Sequence, residues 1–229
     1  MEKSKNFSPT GRTKLRTIPQ RGDYSAETIY KILDDSFICH VGFSFENQPF
    51  VIPVAFGRKD NKIYFHGGKG SRMFKTIKHD TEICITVTIV DGLVLAKSAF
   101  HHSVNYRSVV IFGKAEELIS GESKLQALEI IMDHLLPGRW KDVRNPNEKE
   151  LNATTVLSLN LDEASAKIRT GHPNEEVDDL NLNIWSGVIP FNLKPGNPVP
   201  VEDLNQNLKE PDYISDYIKQ VINNIHKSF

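Results

Sequence analysis

Nowhere does this 229-residue sequence hold the ~20 consecutive apolar residues that a membrane-crossing helix needs, so a helical membrane protein is excluded. Cysteine is almost missing. Cys39 and Cys84 lie in apolar, strand-like runs and form no C-x-x-C pair, which excludes a disulfide scaffold and reads as buried thiols in a reducing compartment. An excess of either charge is missing too: 28 basic against 29 acidic residues give a formal net charge of -1. Such a balance supplies no global field for nucleic acid or an anionic membrane, so neither is expected as a partner. The opening MEKSKNFSPTGR lacks the apolar stretch of a signal peptide, and the expected location is the cytoplasm. The one local imbalance is Lys3, Lys5, Arg12, Lys14, Arg16 and Arg21 against Glu2 alone. Residues 1–22 therefore read as a basic N-terminal arm. It could touch nucleic acid or a phosphate ligand, but a solvated, poorly ordered tail is the expectation.

What is present is mostly strand. Phe37, Cys39, Val41 and Phe43 alternate, as do Phe50, Ile52, Val54 and Phe56, with Glu46-Asn47-Gln48 between them as a hairpin turn. Ile63 to His66 is a further strand, and the β-branched run Ile83–Val90 is the strongest strand signal of the chain. Asp91-Gly92 reads as a tight turn returning through Leu93 to about Phe100. Strands are also expected from Tyr106 to about Leu118, over Thr154–Leu161, near Ala166–Arg169 and over Ile184–Leu193. Helical spacing marks Ser25 to about Asp35, capped by Ser25, then Ser71–Lys78 and Ser123–Leu136. Ile214, Tyr217, Ile218, Val221 and Ile225 form an amphipathic stripe over about Asp212–Lys227, behind a connector carrying Pro195, Pro198 and Pro200. About eight strands and few helices predict a mainly β domain over residues 23–200, a barrel decorated by helices, with a C-terminal extension over 201–229.

Three segments could carry chemistry. The first, Phe65-His66-Gly67-Gly68-Lys69-Gly70-Ser71-Arg72, is a strand, a glycine-rich turn and a helix start. Glycines let backbone pass close to a ligand, Lys69 and Arg72 add charge, and Ser71 can cap the helix or donate to a phosphate oxygen. The alternative is a plain strand-to-helix turn with solvated cations. The second is His101-His102-Ser103-Val104-Asn105-Tyr106-Arg107-Ser108. Strand neighbours point to opposite faces, so the two histidines cannot easily share an ion, and no metal site is expected. Polar contacts from Asn105, Arg107 and Ser108 to an aromatic heterocycle are the better use of this stretch. The third, Trp185-Ser186-Gly187, offers a stacking face with close backbone approach, although spacing alone favours a core Trp.

Taken in order, these segments with Gln48-Pro49-Phe50-Val51-Ile52-Pro53 and Val188-Ile189-Pro190 resemble the FMN-binding split-barrel superfamily. They are most similar to pyridoxamine 5′-phosphate oxidase-related flavin-nucleotide-binding proteins, the nitroimidazole-resistance proteins among them. The resemblance runs from about Arg12 to Pro200. It implies a six-stranded split β-barrel, a homodimer, and one FMN in each of two clefts between subunits. Position by position, Ser71 and Arg72 match the phosphate-gripping Ser-Arg, Phe65 and His66 match the strand end along the flavin, and Arg107-Ser108 match a pair that reaches the cofactor. Gly67, Lys69, Asn105 and Trp185 complete the expected FMN-binding set. Two departures count. Met73 stands where the oxidases place a lysine, which leaves Lys69 to supply a second positive charge. The C-terminal arginine motif that holds substrate phosphate is not recognisable, so vitamin B6 oxidation is not expected.

The expected function is an FMN-dependent oxidoreductase acting on a small molecule, with FMN supplying the hydride chemistry. No side chain declares itself a general acid or base. The alternative is a flavin or haem carrier or sensor of the same fold, since superfamily members also bind haem or F420. There His101 or His102 would be the axial ligand.

Overall fold

The computed structural model describes residues 6–205 and 207–226, the last three of these in backbone only. Lys3, Lys5, Lys227 and the side chain of Ile225, all invoked above, lie outside the described residues. Within them the chain forms ten strands and five α-helices: β1 Gly22–Asp23, α1 Ala26–Asp34, β2 Ile38–Phe45, β3 Gln48–Lys59, β4 Lys62–Gly68, α2 Arg72–Ile77, β5 Glu82–Leu95, β6 Ser103–Lys114, β7 Glu116–Glu117, α3 Gly121–Leu135, α4 Glu148–Ala153, β8 Thr154–Asn160, β9 Glu163–Arg169, β10 Gly187–Pro190 and α5 Asp212–His226.

All strands join one antiparallel sheet in the order β1-β9-β6-β5-β2-β3-β4-β8-β7, with β10 added to the far end of β5. The sheet curls without closing, as a split barrel does. Its interior holds Cys39, Val41 and Phe43 of β2, Phe56 of β3, Ile63 and Phe65 of β4, and Ile83, Ile85 and Val87 of β5. The alternation expected of β2 is thus the core face. Glu46 and Asn47 both take positive φ, the two-residue turn that suits a tight hairpin. On β3 the alternation fails at Ile52, which is exposed along with Val51.

Helix α1 inserts Ile29, Ile32 and Leu33 into the core, and Ser25 accepts the Thr28 amide as its cap. Helix α3 starts earlier than the sequence suggested because Ser120, not Ser123, accepts the capping bond. It lies so close across β3 that a Cβ on Gly57 would fall 2.7 Å from the Ile131 Cα. Helix α4 escaped the sequence reading, although Asn147 and Glu150 form a full capping box.

Two expectations are corrected. Asp91-Gly92 is no hairpin turn: β5 runs straight through it, with a bulge between Val90 and Gly92 against β6. Gly92 is needed for another reason. A Cβ there would sit 2.7 Å from the Ile189 carbonyl oxygen, so its absence lets β10 approach. The arm, within residues 6–22, is no free tail either. Asn6 bridges to Ser25, Phe7 is buried in the core, and Arg12 binds Glu82 at 2.7 Å and also Glu163, across the starts of β5 and β9.

Candidate functional site

Strand β4 delivers the first group of residues. Alternation turns Phe65 into the core and His66 away from it, and the β8 pairing continues through Gly68 opposite Thr154. The Ser71 amide then donates to the Gly68 carbonyl at 2.9 Å, closing the turn from which α2 starts. Gly67 serves packing rather than ligand access, since a Cβ there would lie 2.2 Å from the Phe74 ring. Gly68 and Gly70 face open space.

Around that turn, polar groups await partners. Ser71 occupies the cap position, yet its hydroxyl makes no capping bond. Arg72 pairs with no carboxylate among the described residues. Its guanidinium instead lies 5.2 Å from the Phe50 ring centre and 5.8 Å from that of Phe45, at the tip of the β2–β3 hairpin. Lys69 is exposed and likewise unpaired among the described residues. His66 Nδ1 is buried without a hydrogen-bond partner, and burial lowers the pKa of its imidazole. A hydroxyl, a guanidinium and an ammonium with no competing acid are a donor set for a phosphate dianion. Of the two rings that fix Arg72, Phe50 was read from sequence as a strand residue and as part of the family-like Gln48–Pro53 stretch, and Phe45 was not singled out.

The second group lies elsewhere. Arg107 is held by Asp91, at 2.9 Å from Nη2, and by Asp35, at 2.6 Å from Nη1, and the hydrogen bonds to Asp91 lead in raising its pKa. Neither acid was singled out as its partner from sequence, and the bulge that presents Asp91 is not visible there. Ser108 donates to the Lys167 carbonyl, and Asn105 is buried, bonded to the Gly171 carbonyl and to Arg169. Trp185 is not core: it is 68% exposed, folded over Gly187, whose Cβ would meet the ring at 2.9 Å.

Arg107 binds Asp35, ahead of β2, whereas Arg72 lies over Phe45, the last residue of β2. A strand of that length separates the groups by roughly 25 Å at about 3.3 Å per residue. His66, Lys69, Ser71 and Arg72 lie along one turn, but Phe65 is buried in the core and Gly67 packs on Phe74, so neither of these two expected flavin contacts faces that turn. Asn105, Arg107, Ser108 and Trp185 sit at the other end of the sheet. His101 Nε2 lies 3.2 Å from Glu176, and His102 Nδ1 lies 2.9 Å from the Ser98 carbonyl oxygen. No three His, Cys, Asp or Glu side chains converge among the described residues.

The family model described as pyridoxamine 5′-phosphate oxidase matches residues 25–168, more than half of the chain. The chain belongs to the pyridoxamine 5′-phosphate oxidase family. Among solved structures of this family's fold, the flavocytochrome Anf3 from Azotobacter vinelandii is 36% identical, with a TM-score of 0.87 over 92% of this chain and 98% of that one. The FAD and heme binding protein from Mycobacterium smegmatis is 29% identical, with a TM-score of 0.82 over 86% of this chain and 96% of that one. A Bacteroides thetaiotaomicron protein described as a candidate 5-nitroimidazole antibiotic resistance protein is 26% identical, with a TM-score of 0.52 over 62% of this chain and 83% of that one. No curated protein matches the chain.

Proposed function

We propose that this member of the pyridoxamine 5′-phosphate oxidase family is a flavin-dependent redox protein acting on a small molecule. The observation that carries the reading is the unpaired cradle of Ser71, Arg72 and Lys69, whose donors suit the phosphate of a flavin nucleotide. Arg72 and Ser71 would hold that phosphate, and His66, whose pKa burial lowers, would lie beside the flavin. Bound flavin supplies hydride or single-electron transfer. No general acid is assigned.

The nucleotide expected from sequence is FMN. The two relatives that align with most of the chain are a flavocytochrome and an FAD and heme binding protein, which favours FAD accompanied by haem. Either His101 or His102 would hold the haem iron. A ligating imidazole characteristically anchors its other nitrogen on a carbonyl or carboxylate; His102 has its Nδ1 on the Ser98 carbonyl and His101 its Nε2 beside Glu176. The working unit is a homodimer, because the two groups of residues lie at opposite ends of the sheet and a second copy joins them. Free Cys39, whose thiol burial pushes up to about 12, and free Cys84 fit a reducing cytoplasm.

The absorption spectrum of the purified protein, with the mass of whatever it releases on denaturation, decides among these. Flavin bands with FAD mass and a Soret band support the flavocytochrome reading; FMN mass without a Soret band returns the simpler flavoprotein. A colourless protein that cannot be loaded with either nucleotide ends the proposal.

A further inference from the structure

Arg169, the last residue of β9, is a charged side chain with only 6% of its surface exposed. Among the described residues its guanidinium makes one side-chain hydrogen bond, from Nη1 to the neutral Asn105 amide oxygen, and its Nε is buried with no partner. Asn105 is committed in turn, donating at 3.1 Å to the Gly171 carbonyl. No carboxylate lies within ion-pair distance of Arg169 among the described residues. The neighbouring charge is another cation: β1 pairs Gly22 with Lys167, which brings the preceding Arg21 beside the end of β9. Burial, then Arg21, lower the pKa of Arg169. A buried guanidinium beside a second cation, with no acid paired to it among the described residues, costs folding energy without return. An oxyanion between them removes that cost, because the arginine fork binds phosphate or carboxylate through paired donors.

We propose that Arg169, oriented by Asn105 and joined by Arg21, is an oxyanion-binding subsite that takes a phosphate or carboxylate group of a ligand. It is separate from the Ser71–Arg72 cradle, since Arg169 stands opposite Tyr106 of β6 while Arg72 lies over Phe45 at the other end of the sheet. The site itself does not depend on the proposed function; only the two named sources of the anion do, a flavin-nucleotide phosphate and a haem propionate.

The test uses the full chain in an Arg72→Ala background, so that the cradle does not contribute. Inorganic phosphate and acetate are titrated by calorimetry and by thermal melts. Arg72→Ala should be stabilised by phosphate in a concentration-dependent way. Adding Arg169→Gln should weaken the apparent affinity at least about tenfold, the loss of one charge-assisted hydrogen bond. Arg21→Gln, at a residue only half buried, should also weaken it and keeps the test open if Arg169→Gln does not fold. Titrating FMN against riboflavin, and haem against its dimethyl ester, then names the source. A selective loss for FMN marks phosphate, and a selective loss for free haem marks carboxylate. A chain that ignores both anions, or one whose response survives both substitutions, overturns the proposal. If neither flavin nor haem binds while the phosphate response still falls with Arg169→Gln, the subsite stands and the proposed function fails.

Discussion

At the scale of single residues, chemistry turns on which polar groups the fold leaves without partners. Arg72 and Arg107 are equally cationic in the sequence, yet Arg107 is held between Asp91 and Asp35 while Arg72 faces only aromatic rings. Arg72→Ala should therefore weaken flavin-nucleotide binding by about 1.5–3 kcal/mol, the worth of a charge-assisted hydrogen bond. Riboflavin, which lacks the phosphate, should be unaffected, and His79→Ala just beyond α2 should change little. Equal nucleotide affinities for wild type and Arg72→Ala in a fluorescence titration would place the phosphate elsewhere. His66 gives a pH signature of its own. Burial lowers its pKa in the folded state, whereas an unfolded histidine titrates near ~6.5. Below that pH the unfolded chain takes up the extra proton, so His66 costs stability as pH falls and costs nothing once it is neutral in both states. His66→Gln should consequently lose less thermal stability than wild type on acidification from about pH 7.5 to about pH 5.5. Parallel losses would mean that His66 is solvated.

At the scale of elements, what local pattern can express was legible and what depends on distant partners was not. The β2–β3 hairpin announces itself through alternating apolar residues around Glu46-Asn47, and α1 through Ser25 and its apolar stripe. Asp91-Gly92 misleads because the same dipeptide that closes hairpins also relaxes a strand into a bulge, and only the late arrival of β10 decides between them. Phe7 docks the arm through one apolar residue, too little for any periodicity to register. The candidate site divides in the same way. The run from Phe65 to Arg72 is contiguous in sequence and so visible, whereas the Arg107–Asp91–Asp35 network and the Phe45–Phe50 bed of Arg72 exist only after pairing. The bulge yields a test. Gly92→Ala would place a methyl 2.7 Å from the Ile189 carbonyl oxygen. It should cost about 1–3 kcal/mol, the range for an overpacked contact. The Phe191 amide, bonded to the Asp91 carbonyl at 2.9 Å, should exchange with deuterium faster while β2 amides stay protected. An unchanged rate at Phe191 would show that β10 tolerates the methyl by shifting.

At the scale of the whole molecule, the apolar surface is distributed as if for two copies. Ile38, Val51, Val90 and Leu93 are exposed on the sheet strands. The segment after β10 adds Leu193 at 80% and Val199 at 90% exposure before α5 returns to the molecule, where the Arg139 guanidinium donates to the Tyr213 hydroxyl at 2.9 Å. A monomer gains nothing from so many bare large side chains, and exposed apolar surface that forms a patch marks an interface. The proposed dimer accounts for them, and an antiparallel two-fold pairing, in which residue i meets j and j meets i, would also set one end of each sheet beside the opposite end of the other. Light scattering should accordingly give twice the 25.9 kDa chain mass at micromolar concentration. Val51→Glu combined with Val90→Glu should shift that mass toward the monomer, since two buried, unpaired carboxylates on each copy oppose the contact. Flavin affinity should fall in the same variant even though neither residue belongs to the Ser71–Arg72 cradle. Should the monomeric variant bind flavin as tightly as wild type, the cofactor would need only one chain, and the separation of Arg72 from Arg107 would have no bearing on the site.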